Sequence, residues 1–113
     1  MSLRQRSEAQ HAFNVTPAAG TASPLTVVPA LPGAIIKVYR CFISMGAAGQ
    51  QEVQFFGTGG QAISQQFILQ GSLILSEGAA NLDPFFVTVA GEGLVIAWSS
   101  GTLSYDVWYM QGL

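Results

Sequence analysis

From residue 34 onward the chain sets bulky apolar residues in short runs broken by turn formers. The longest run holds Ile35, Ile36, Val38, Tyr39, Cys41, Phe42 and Ile43, interrupted only by Lys37 and Arg40. Its β-branched and aromatic content predicts a strand over 34–44. Further strands are predicted at 52–56, 66–69, 73–75, 85–89, 94–99 and 103–110, with Gly, Asn, Asp, Ser and Pro clusters between them. Short strands at such spacing predict an all-β sandwich or barrel. Gly91-Glu92-Gly93 and Ser99-Ser100-Gly101-Thr102 separate strongly apolar runs with small residues that tolerate unusual φ. Read as hairpin turns, they make 85–110 a three-stranded meander.

The first 33 residues differ. Pro17, Pro24, Pro29 and Pro32, with Gly20 and Gly33, break any long helix or strand. The expected organisation is an extended N-terminal arm over 1–24, with room for one helical turn at 7–13, followed by a β-sandwich domain over 25–113 that opens on an edge strand at 25–28. Arg4 and Arg6 near the tip of the arm can reach acidic groups on a neighbouring protein, and Leu3 and Phe13 gain from being covered there.

Apolar residues in the strands do not simply alternate with polar ones. Phe55-Phe56, Phe85-Phe86, Leu94-Val95-Ile96-Ala97-Trp98 and Val107-Trp108-Tyr109-Met110 place bulky groups at consecutive positions. Neighbours along a strand point to opposite faces, so both faces of a sheet carry greasy groups. An aromatic side chain buries about 150–250 Å², and apolar burial contributes about 25 cal/mol per Å², so a few outward aromatics suffice for association. Phe56, Trp98, Trp108 and Tyr109 are the expected inter-subunit contacts of a self-associating module.

Composition sharpens this picture. Of 113 residues, 50% are hydrophobic and only 9% are charged, well below the roughly 25% of ordinary soluble domains, so part of the surface is expected to be covered. The length suits one domain. Lys37 and Arg40 interrupt the most apolar stretch, which is too short to span a bilayer, and polar residues after the basic start leave no signal-peptide core. A net charge of −2 provides no field to attract nucleic acid or acidic lipid. One cysteine excludes a disulfide within the chain and a Cys-rich metal site.

Candidate chemistry is sparse. His11 stands in the expected arm and Cys41 in the most apolar strand, where burial suppresses the thiolate, so a Cys-His pair is not expected. The carboxylates sit mostly in turn-like segments. A glycosidase-type pair can be assembled across the fold, for example Glu52 with Asp106, but nothing in the spacing specifies the required separation. A structural role for Asp106, paired with Lys37 or Arg40 or exposed at an edge, fits its place in a strand better. Gly57-Thr58-Gly59-Gly60 lacks the Gly-Lys-Ser/Thr of a phosphate loop. The chain is therefore expected to be non-enzymatic, with no metal and no cofactor.

Three segments carry a family likeness. They are Pro32-Gly33-Ala34-Ile35-Ile36-Lys37-Val38-Tyr39, Asn81-Leu82-Asp83-Pro84-Phe85-Phe86-Val87-Thr88-Val89-Ala90-Gly91-Glu92-Gly93-Leu94 and Gly101-Thr102-Leu103-Ser104-Tyr105-Asp106-Val107-Trp108-Tyr109. Together they resemble small β-sandwich proteins of tailed phages, and the likeness runs over residues 25–111. The resemblance implies a jelly-roll-like, trimeric capsid decoration or cement protein on the outer surface of the virion, with the major capsid protein as partner. A tail or fibre component that binds a host surface through loops 57–61 and 76–83 is the alternative. Under the first reading, Leu3, Arg4, Arg6 and Phe13 dock the arm on the capsid.

Overall fold

The computed structural model describes residues 10–14, 23–46, 50–69, 72–76, 84–99 and 101–112. Nine strands appear among them: β1 Gln10–Asn14, β2 Leu25–Val28, β3 Ile35–Met45, β4 Gln51–Gly57, β5 Phe67–Leu69, β6 Ser72–Ser76, β7 Phe86–Val87, β8 Leu94–Trp98 and β9 Leu103–Gly112. They form two antiparallel sheets. One runs β1-β9-β3-β6, with β7 also paired to β3 to make five strands, and the other runs β2-β8-β4-β5.

The pairing is nested. The outermost strands pair (β1 with β9), then the next pair inward (β2 with β8), then β3 with β6 and β7, and finally β4 with β5. The chain is thus one long antiparallel ribbon, rolled until β9 meets β3 and β8 meets β4. This winding is the jelly roll, an all-β sandwich of two Greek keys.

Inward positions explain why these segments become strands. On β8, Leu94, Ile96 and Trp98 point into the core, as do Val53 and Phe55 on β4. On β3 the alternation changes phase. Ile36 and Val38 face inward, the pairing with β9 slips between Val38 and Arg40, and Cys41, Ile43 and Met45 then face the same core. A bulge centred on Tyr39 thereby keeps an eleven-residue strand on one core despite its broken two-residue period. Cys41 is fully buried and packs as a small apolar residue. Phe55 of the four-stranded sheet stacks on Phe86 of the five-stranded one at 4.6 Å between ring centroids, so one aromatic pair spans the sandwich.

Three expectations are corrected. Residues 10–14 belong to the sandwich, not to a free arm or a helical turn. They form β1, paired residue for residue with β9 from Gln10↔Tyr109 to Asn14↔Tyr105. The meander is absent, because β7 and β9 lie in one sheet and β8 in the other, so both connections cross the sandwich. At the first crossing Gly91 takes φ +86° and donates its N–H to Ala34 O, which turns the chain toward the opposite sheet. Gly93 follows at a close crossing of backbones, where a Cβ would meet Val28 O and lie 2.8 Å from Ala30 N. The strand expected over 85–89 is also shorter. At Thr88 the side-chain Oγ1 accepts the Ile36 N–H at 2.8 Å while the Thr88 N–H donates to Ile36 O, so a hydroxyl replaces one ladder carbonyl.

Two outcomes follow for stability. Phe55→Ala removes a fully buried ring from the aromatic pair that spans the sandwich and lowers the unfolding free energy by about 3–5 kcal/mol in urea titrations monitored by far-UV circular dichroism. Tyr105 faces the core from β9, and burial raises its phenol above its usual pKa of 10.0. The folded state then favours the neutral phenol, so this contribution is intact below the unfolded pKa and is lost as pH climbs through and beyond it. The urea midpoint should fall on raising the pH from about 9 to about 11, and Tyr105→Phe should flatten part of that fall.

Candidate interaction surfaces

Strand register sets out the outward face of the five-stranded sheet. One row across it reads His11, Trp108, Arg40, and the next reads Phe13, Asp106, Phe42. The first row is a continuous stack. The His11 ring lies 4.1 Å from Trp108 at 10° between planes, and Arg40 Cζ sits 4.8 Å above the indole. Phe13 extends the stack at 4.7 Å from His11. His11 Nε2 is hydrogen-bonded to Asp106 Oδ1 at 3.0 Å, across β1 and β9. The partner of Asp106 is therefore His11, and the expected pairing with Lys37 or Arg40 is replaced because Arg40 lies over the indole.

The outward face of the four-stranded sheet is built differently. Thr26, Val95 and Phe56 are register neighbours across β2, β8 and β4, and Glu52 pairs with the exposed Ile68 on β5. A depression of about 450 Å³ lies over Pro24, Thr26, Phe56, Thr58, Val95 and Ala97. A smaller one of about 210 Å³ adjoins it, with Glu52, Gln54, Gln66 and Ser99 in its wall. Polar groups of the smaller one are hydrogen-bonded within the chain. Gln66 donates to Glu52 Oε2 at 3.2 Å, Gln54 to Ser64 O at 2.9 Å, and Ser99 Oγ to Gln51 Oε1 at 3.0 Å.

The glycine-rich loops after β4 and before β8 dock on each other. Glu92 Oε1 accepts the Gly59 N–H at 2.6 Å, and the Gly93 N–H donates to Thr58 Oγ1 at 2.9 Å. A carboxylate thus occupies the backbone donor that a phosphate loop would offer to an anion.

The residues singled out by sequence are distributed among several environments. Leu3, Arg4 and Arg6 lie outside the described residues. Phe13 is on β1 at the edge of its sheet and 53% exposed. Phe56 lines both depressions on the outward face of the four-stranded sheet. Trp108 faces outward but is sandwiched between His11 and Arg40. Two placements are corrected. Trp98 belongs to the core of its own chain, 6% exposed, with its indole N–H donating to Gly101 O at 2.9 Å. Tyr109 also packs against the core, because its register partner Val38 faces inward. In each apolar doublet one member is interior, and only the other can reach an outer face.

Sequence reasoning missed other outward groups. Besides Phe13, the large apolar side chains exposed among the described residues are Leu31, Phe42, Ile68, Phe85, Val87 and Val89. Alternation around Phe86 and Thr88 carried the signal for Phe85, Val87 and Val89. Phe42 could not be placed without the phase change at Tyr39. Glu52 and Asp106 project from the outward faces of different sheets, so they do not form a carboxylate pair. Among the described residues, no three His, Cys, Asp or Glu side chains converge as a metal site, and no helix is long and apolar enough to cross a membrane.

Comparisons with family models, with curated proteins and with solved structures found no match.

Replacing the carboxylate that holds the two loops together gives a local test. Glu92→Ala leaves the Gly59 N–H without its acceptor and should cost about 1–2 kcal/mol in unfolding free energy, with amide exchange accelerated at Gly59 more than in β3.

Proposed function

We propose that this chain is a structural protein of a phage virion, a decoration module that binds the outside of the assembled capsid as a homotrimer and stabilises it. The observation that carries the reading is a jelly roll whose two outward faces hold aromatic and aliphatic groups and very few charges. Phe13 and Phe42 stand on one face, Ile68 and the Phe56 depression on the other. Patches of this kind mark surfaces that meet other proteins. The phage-like segments within residues 25–111 support the same reading.

The mechanism is mechanical and does not require a reaction. A module that binds the closed shell and not its free subunits stabilises the shell by mass action, by about 2.7 kcal/mol per site at a hundredfold excess over Kd. In this reading the arm residues Leu3, Arg4 and Arg6 engage the major capsid protein, with Phe13 at the edge of β1 as an apolar anchor beside them.

Undecorated capsids mixed with the purified protein should withstand a higher temperature before releasing DNA, and a version lacking residues 1–9 should give less protection. Shells that melt at an unchanged temperature with bound protein absent from them would overturn the reading. Labelling at the tail tip instead of the shell in electron micrographs would replace it with a tail or fibre role.

A further inference from the structure

We infer that the outward face of the four-stranded sheet binds a neutral saccharide chain, laid along strand β8 with one sugar ring against Phe56. Such binding is separate from attachment to a shell and would serve a module on the capsid or at the tail alike.

A trough along β8 follows from side-chain size in register. Outward Val95 pairs across the sheet with Thr26 on β2 and Phe56 on β4, and outward Ala97 pairs with Gln54 on β4. The residues of the central strand are thus shorter than their neighbours on β4. Phe56 and Ala97 line both depressions on this face, the one of about 450 Å³ and the one of about 210 Å³, which makes them two ends of one trough. The larger end is in the size range of small-ligand sites. Its rim is fixed in advance, because Thr58 bonds Gly93 and Glu92 bonds Gly59.

The two ends differ in chemistry. Phe56 and Val95 make the larger end apolar, and the Phe56 ring makes no contact with another described ring, whereas Trp108 on the opposite sheet is covered on both sides. The smaller end is walled by Glu52, Gln54 and Gln66. Gln66 steadies the Glu52 carboxylate through Oε2, and Gln54 is held by its Nε2 donating to Ser64 O. Among the described residues Glu52 Oε1 and Gln54 Oε1 have no donor, so both remain acceptors at the trough.

This combination selects the ligand. A wholly apolar chain would bury Glu52 without a donor, which is costly. An anion finds no cation here, since the described lysine and arginine, Lys37 and Arg40, both lie on β3 in the other sheet. An extended peptide needs a sheet edge to pair its backbone, but β8 lies between β2 and β4 with its ladders already made. A sugar ring offers C–H groups to the electron-rich face of an aromatic ring and hydroxyl donors to carboxylate and amide oxygens. A neutral saccharide therefore matches both ends at once.

The nitrogen-labelled full chain can be titrated with neutral hexasaccharides, α- and β-linked glucose and β-linked N-acetylglucosamine, and followed by amide NMR. At least one should saturate with a Kd of about 1 mM or tighter, shifting amides within 54–58 and 95–99. Phe56→Ala should weaken that binding about tenfold, and Glu52→Gln by a smaller factor. Ala97→Leu fills the trough without removing a contact group and should also weaken it about tenfold, which keeps the test valid if Phe56→Ala lowers the urea midpoint. No saturation by any of the three up to about 10 mM, shifts confined to other surfaces, or unchanged affinity in Ala97→Leu would overturn the inference. Shifts of the same amides with protein concentration alone would assign the face to a second copy and overturn it as well. The capsid-melting experiment reads shell binding independently of all these outcomes.

Discussion

Strand β9 lies between β1 and β3, and its ladder with β3 runs from Ile35↔Gly112 to Met45↔Leu103. The backbone donors and acceptors along the middle of the five-stranded sheet are therefore satisfied only when distant segments of the chain come together. Everything else in the fold depends on this contact. It creates the inward row of Val107, Tyr109, Val38 and Cys41 that roofs the core, and it places Trp108 beside Arg40 on the other side. The bulge at Tyr39 is the local adjustment that lets the ladder continue while both halves of β3 feed one interior.

Much of the architecture was legible in the sequence because strands β2 to β6, β8 and β9 have β-branched or aromatic runs between turn formers. Jelly-roll winding itself was indicated by family likeness rather than by pattern, since neither periodicity nor turn chemistry encodes which strands pair. β1 was missed for a physical reason. Gln10-His11-Ala12-Phe13-Asn14 has little strand propensity, and its conformation comes from the β9 edge it completes. The meander failed because glycine-rich turns permit a hairpin and a crossover equally well. Gly91, Gly93 and Thr88 make the crossover through contacts to residues 28–36 that no local window contains.

The outward surfaces were partly legible. Consecutive bulky residues correctly signalled two apolar faces, but they could not say which member of each doublet is interior, and Trp98 and Tyr109 fell on the inner side. Nor could they show how much of the second face the chain covers by itself. Trp108 is sheltered between a histidine and a guanidinium from neighbouring strands, and Val95 is buried between Thr26 and Phe56 although it faces outward. His11 and Asp106 meet across 95 positions of sequence, a separation at which a lone histidine gives no warning of its partner. What remains exposed is a smaller set of groups, divided between two faces of different charge.

Nested pairing also constrains how the molecule can be made. As the chain leaves the ribosome, β1 and β3 emerge long before β9, the strand that belongs between them. Until it arrives, their facing edges stay unpaired and the apolar roof of the core is missing its central plank. The inner ribbon of β3 to β6 can close early on its own contacts, but the complete sandwich must wait for the last segment to be threaded into the gap, making late folding a built-in property of this winding.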